Sequence, residues 1–171
     1  MNIQSLCLSH KLRLLFICLM LWSLGPASAA TFYVLRHAEK QTGDDPALTE
    51  QGQQRAQRLA NLLSNADIQA IYSSHYQRTR QTAEPIAEIK KLPITQYDPK
   101  ALNQFAQKLL SENKNAVIIG HSNTTPQLVR MLSQQPIPDM DEKTYDLIYQ
   151  VVTFSEIAGQ QSVVNVLSSQ D

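Results

Sequence analysis

The chain has 171 residues, 43% hydrophobic and 18% charged, a composition that excludes a disordered or collagen-like protein and suits one globular domain. Its fifteen basic residues are balanced by fifteen acidic ones. With no net charge, electrostatics select neither nucleic acid nor an anionic membrane surface as a partner.

The first thirty residues, 1–30, have the make-up of a cleaved secretory signal peptide. Lys11 and Arg13 form a basic start, Leu14 to Leu24 an apolar run, and Gly25-Pro26 a break before small residues that continue to Ala30. Ala27-Ser28-Ala29 and Ser28-Ala29-Ala30 each offer a cleavage site, before Ala30 or before Thr31. The eleven-residue apolar run falls short of the ~20 that a spanning helix needs, so no stable membrane anchor is expected. The expected product is one domain, 31–171, periplasmic or secreted. Cys7 and Cys18 both lie in the leader, which leaves that domain without a thiol, a disulfide or a cysteine metal ligand.

Thr31 to Leu35 (TFYVL) is β-branched and aromatic, too short for a helix, and predicts a buried strand. After a polar loop, Thr49 predicts an N-cap, with Glu50 in the first turn and Ala56, Leu59, Ala60, Leu62 and Leu63 at helical spacing. Ile68 to Tyr72 predicts a second strand, Gln77 to Ile89 a helix in tension with Pro85, and Pro93 to Gln96 another short strand. Asp98-Pro99 pairs a capping residue with a first-turn proline, predicting a helix to Glu112. Ala116 to Ile119 (AVII) is the most apolar strand, and Thr125-Pro126 predicts a helix through Leu132. Ser133 to Asp141 is polar and proline-containing, a surface loop. Tyr145 to Phe154 and Ser162 to Leu167 predict a terminal hairpin.

Strands alternating with helices imply an α/β sandwich with a mostly parallel sheet. Chemistry in such sheets gathers beyond the carboxyl ends of strands. Three polar clusters fall there: Arg36-His37, Ser73 to Arg78, and Gly120-His121. A neutral imidazole at His37 can be a nucleophile, and the Arg36 guanidinium can neutralise phosphate oxygens. Arg78 and His121 can supply further donors. Taken singly, each has an ordinary structural reading as a surface charge or a loop histidine; their order along the chain changes that.

YVLRHAEK at 33–40 resembles the RHG-type signature of the histidine phosphatase superfamily, which includes the cofactor-dependent phosphoglycerate mutases. ALTEQGQQRA at 47–56, IYSSHYQRTRQTA at 71–83 and VIIGHSNT at 117–124 agree with it in order. The resemblance implies a three-layer α/β/α sandwich, phosphoglycerate mutase-like, without a large cap insertion. It makes His37 the phosphoryl-accepting nucleophile, with Arg36, Arg78 and His121 around one phosphoryl group. Ser74, Arg78 and Thr82 fall in the register of its second block. Asn123 is placed beside the pocket as a substrate-binding side chain, and the triplet it opens also matches a glycosylation acceptor, relevant only in a eukaryotic host. The acid that protonates the leaving oxygen is assigned to Asp98, whose place before Pro99 equally fits an N-cap. No metal and no cofactor are implied, since arginines supply the positive charge.

Three positions depart from the pattern: Ala38 stands for the usual glycine, Gly43 for a frequent asparagine and Arg55 for a frequent glutamine. The implied activity is hydrolysis of small phosphomonoesters outside the cytoplasm. The alternatives are a protein phosphohistidine phosphatase and a non-catalytic phosphate- or sugar-phosphate-binding protein.

Overall fold

The computed structural model of the protein describes residues 29–156 and 159–170. Most of the expected leader, residues 1–28, and part of the expected hairpin turn lie outside them. Among the described residues six strands and four helices follow one another: β1 (Ala29–Arg36), α1 (Glu50–Leu62), β2 (Ala70–Ser73), α2 (Gln77–Lys90), β3 (Ile94–Gln96), α3 (Leu102–Glu112), β4 (Ala116–Gly120), α4 (Thr124–Ser133), β5 (Leu147–Glu156) and β6 (Gly159–Ser168).

They form one sheet in the order β3-β2-β4-β1-β5-β6. β3, β2, β4 and β1 are parallel neighbours, β5 is antiparallel to β1, and β6 is antiparallel to β5, so β5 alone runs against the rest. β4 is buried at all five residues, as its unbroken apolar run requires of a central strand covered on both faces. The pleat sorts side chains between two cores. Phe32, Val34, Ala116 and Ile118 pack with Phe105 and Leu109 of α3 and Leu128 and Leu132 of α4. Leu35, Val117 and Ile119 pack with Leu59 and Ala60 of α1 and Ala83 and Ile86 of α2. The result is the expected α/β/α sandwich, and no connection among the described residues carries an inserted cap. Each fully buried Leu, Ile, Val or Phe contributes roughly 1.5–3 kcal/mol to holding the layers together.

Local chemistry explains most element boundaries. Thr49 caps α1, its hydroxyl accepting from Gly52 N–H at 3.0 Å. Gly52 is obligatory for packing: a Cβ there would run into the Glu39 backbone, 3.0 Å from its carbonyl carbon and 3.1 Å from its nitrogen. α2 continues through Pro85, although proline withdraws the N–H that the Gln81 carbonyl would receive.

Other boundaries differ from the sequence expectation. α3 starts at Leu102, with Ala101 at the cap position. Asp98 instead spends its side chain on a tight turn, Oδ1 accepting from Lys100 N–H at 2.9 Å while its carbonyl accepts from Ala101 N–H at 3.1 Å. α4 begins one residue before Thr125, because the Thr124 hydroxyl accepts from His121 N–H at 3.0 Å. β5 starts at Leu147, leaving Tyr145 in the preceding loop. β1 starts at Ala29, inside the segment assigned to the leader; Ala30 is buried, and its carbonyl accepts from the Thr153 hydroxyl at 3.3 Å.

Candidate active site

The carboxyl ends of β1, β2 and β4 open onto a cleft of about 500 Å³, lined among others by Arg36, His37, Arg78, His121, Ser122, Asn123 and Glu142. β1 delivers Arg36 and His37, which stay 2% exposed because β4 continues alongside: the Gly120 carbonyl accepts from His37 N–H at 3.0 Å. The next amide, Ala38 N–H, is held by the Thr82 hydroxyl of α2 at 3.0 Å, and that hydroxyl donates to the Arg78 carbonyl at 2.8 Å. Thr82 therefore ties the His37 turn to the helix that carries Arg78.

The His37 ring is fixed by its own turn. Nδ1 lies 2.7 Å from the Ala38 carbonyl, an acceptor only, so Nδ1 carries the hydrogen and Nε2 keeps its lone pair. Burial, with lesser help from Arg36, Arg78 and His121, pushes the His37 pKa down from 6.5 to about 3, against the opposing bond to Ala38. The imidazole is neutral at any ordinary pH. His121 is likewise pushed down to about 4, by burial first and then by Arg78 and Arg36. The two rings meet edge to face, centroids 5.6 Å apart.

Arg78, the second residue of α2, stacks its guanidinium 4.4 Å over the Tyr76 ring and lies 3.7 Å from the Asp45 carboxylate. Its Nη2 donates to His121 Nδ1 at 3.4 Å, which puts the His121 hydrogen on Nε2, 3.0 Å from the Ser74 hydroxyl. Ser74 continues to the Thr79 hydroxyl at 2.9 Å, and Thr79 donates to the Tyr76 carbonyl at 2.8 Å. Gly120 admits this arrangement, since a Cβ would stand 3.0 Å from both the Tyr97 and the Thr124 hydroxyls.

Arg36 is placed differently from a free phosphate clamp. Nη1 donates to three backbone carbonyls of one loop, Asp141 at 3.3 Å, Glu142 at 2.7 Å and Thr144 at 3.1 Å. Nη2 donates to Glu142 Oε2 at 2.9 Å, and the guanidinium lies 4.1 Å over the Tyr145 ring. The Nε groups of Arg36 and Arg78 are buried without a protein acceptor.

The structure thus gathers Arg36, His37, Arg78, His121 and Asn123 around one cleft. It does not bring Asp98 there. Pro99 and Lys100 line the cleft, but the exposed Asp98 carboxylate is engaged by Lys100 N–H in its own turn. Arg55 is accounted for by Glu39, which it grips from Nε and Nη2 at 2.7 to 3.0 Å, holding the carboxyl below the usual range against the cost of burial. Glu142, Ser122 and Tyr76 also line the site, and sequence reasoning did not single them out. Tyr76 and Ser122 stood inside the recognised blocks; Glu142 carried no local signal at all. Among the described residues no three His, Cys, Asp or Glu side chains form a metal-binding group.

Residues 32–99 match the histidine phosphatase superfamily, branch 1. That match takes in less than half of the 171-residue chain. It is 38% identical over 73 residues to phosphoserine phosphatase 1 of Hydrogenobacter thermophilus, a match covering 38% of this chain and only about a third (35%) of that relative. Among solved structures it is similar to the protein histidine phosphatase SixA complexed with tungstate, at 22% identity, TM-score 0.64, and 82% and 97% of the two chains covered. It is also similar to a mycobacterial glucosyl-3-phosphoglycerate phosphatase, at 13% identity, TM-score 0.66, and 84% and 100% covered. At those identities the likeness is one of fold. The matched stretch supplies Arg36, His37 and Arg78, whereas His121, Ser122 and Glu142 come from beyond it.

Proposed function

We propose that the protein is a phosphomonoester hydrolase acting outside the cytoplasm on small phosphorylated substrates, through a phosphohistidine on His37. The observation that carries this reading is the state of His37. It is a neutral imidazole whose Nδ1–H is held by the Ala38 carbonyl, leaving Nε2 as a lone pair at a cleft bounded by two arginines.

Phosphoryl transfer spreads charge over three equatorial oxygens, and catalysis is mostly placement and electrostatic stabilisation. Arg36 Nη2 and the Arg78 guanidinium supply fixed positive charge beside His37. The Ser74 hydroxyl can accept from His121 or donate to it, so it lets His121 change tautomer. When a phosphoryl group draws Arg78 away, Ser74 donates to Nε2 and the hydrogen moves to Nδ1, facing the oxyanion. His37 Nε2 then bonds to phosphorus as the ester oxygen departs, and water releases phosphate from His37 in a second step. The arginines carry the charge stabilisation, so the reading assigns no step to a metal. Export rests on the basic, apolar and small-residue pattern of residues 1–30.

A second reading, hydrolysis of phosphohistidine on a protein, draws on the cleft having no inserted cap over it among the described residues. Small esters stay ahead because the expected export separates the enzyme from cytosolic phosphorelays.

The test is covalent trapping. Purified protein is mixed with phosphomonoesters and with a phosphohistidine-bearing carrier protein, quenched in alkali, and analysed for acid-labile phosphate. The expected result is phosphate on His37 and turnover on small esters, both abolished in His37→Ala. Stoichiometric phosphate binding with no adduct and no turnover would leave a binding protein, and far faster hydrolysis of the carrier would reverse the ranking of substrates.

A further inference from the structure

With Asp98 turned away, the cleft contains one carboxylate among its described lining residues, that of Glu142. It is bound at both oxygens: Oε2 by Arg36 Nη2 at 2.9 Å and Oε1 by the Ser122 hydroxyl at 2.5 Å. Its backbone is anchored separately, through the three carbonyls on Arg36 Nη1. The side chain is nevertheless 79% exposed. It can therefore rotate while residues 141–144 stay in place.

We propose that Glu142 is the acid–base residue of the cleft, parked on Arg36 and Ser122 until an arriving phosphoryl group displaces it. This rests on the phosphatase reading above. Arg36 Nη2 and the Ser122 hydroxyl are donors that a phosphoryl oxygen also seeks, and a dianion between two arginines outcompetes a single carboxylate charge. Displaced, Glu142 is the one carboxyl among the described lining residues left beside the phosphoryl group. The Tyr76 and Tyr145 rings lie under the Arg78 and Arg36 guanidinium groups.

The steps balance. In the first, the bond from His37 Nε2 to phosphorus forms, the ester P–O bond breaks, and the Glu142 carboxyl gives its proton to the departing alkoxide, releasing an alcohol. In the second, the Glu142 carboxylate takes a proton from water as the water oxygen bonds to phosphorus. The N–P bond breaks, and phosphate leaves with the carboxyl restored.

The discriminating experiment compares wild type with Glu142→Gln and Glu142→Ala on two esters, p-nitrophenyl phosphate and glycerol 2-phosphate, by rapid quench and steady state. The Gln variant keeps an acceptor for Arg36 and Ser122, and thermal melts verify the fold of both. On glycerol 2-phosphate, whose alkoxide needs a proton, kcat should fall by roughly 10²–10⁴. On p-nitrophenyl phosphate the nitrophenolate burst should persist near the wild-type rate while later turnover slows and phosphohistidine accumulates. An equal loss of burst rate on both esters would overturn the inference in favour of a loop-holding role. An unchanged kcat with a lower KM would overturn it in favour of simple competition for the anion site. Wild type that is inert to both esters would overturn the phosphatase reading and this inference with it.

Discussion

Gly52→Ala separates two physical effects of opposite sign. Helix propensity alone favours alanine inside α1 by roughly 1 kcal/mol. The packing opposes it. The new Cβ would approach the Glu39 carbonyl carbon to 3.0 Å and its nitrogen to 3.1 Å, and would overlap the carbonyl oxygen more severely. Carbon atoms rest at about 3.5–4.0 Å, so Glu39 must retreat by about half an ångström or more. It has little freedom to do so. Thr49 N–H donates to the Glu39 carbonyl at 2.9 Å, and Arg55 holds the Glu39 carboxylate from two nitrogens. Overpacking against yielding side chains costs about 1–3 kcal/mol; against backbone atoms roughly 3–4 kcal/mol is expected, which leaves a net loss of roughly 2–3 kcal/mol after the gain in helix propensity. For a domain of this size that lowers Tm by roughly 6–12 °C. Because residue 39 lies two positions from His37, kcat should also drop, by about 10²-fold if the shift reaches 1 Å at the nucleophile. Differential scanning calorimetry and steady-state assays on the same preparation measure both. A Tm equal to or above wild type would refute the close-approach argument and leave propensity as the ruling term.

Thr82→Val keeps shape and removes the hydroxyl that holds Ala38 N–H, leaving a buried donor unpaired. A loss of about 1–3 kcal/mol in urea unfolding is expected, along with a slower reaction from the loosened His37 turn. Unchanged stability would mean that the bond contributes nothing. Acid sensitivity should follow from His37. Its folded pKa of about 3 lies below the ordinary 6.5, so between those values the unfolded chain binds the extra proton. Stability is therefore intact above pH 6.5 and falls as pH drops toward 3, at a slope approaching roughly 1.4 kcal/mol per pH unit. Urea midpoints across that range should decline less steeply in His37→Asn than in wild type; parallel curves would contradict the buried neutral imidazole.

What could be read from the sequence was what neighbouring residues decide among themselves. The AVII run makes a central strand because its burial needs no distant partner to be named, and Thr49 caps α1 through a bond spanning three residues. Arg36, His37, Arg78 and His121 were legible because they stand at or shortly after strand ends, in the order of a known set of sequence blocks. Glu142 was not: it sits in a polar loop, and its meaning comes from Arg36, 106 residues away. Asp98-Pro99 misled for the reason that makes aspartate a capping residue, since its short carboxylate satisfied the nearest amide and closed a single turn three residues before α3 could begin. The glycine of TEQG was visible as part of a block, but its cause lies across the chain in Glu39.

Arg36 ties together two stretches that lie far apart along the chain. Residues 32–99, which match the histidine phosphatase superfamily, carry His37 and both arginines, while residues 121–124 and 142 of the same cleft come from beyond that match. The loop at residues 141–144 is held to the strand end that carries His37 through one guanidinium. Any replacement of that loop must therefore still offer carbonyls where Asp141, Glu142 and Thr144 now present theirs, or Arg36 loses the partners that set its position beside His37.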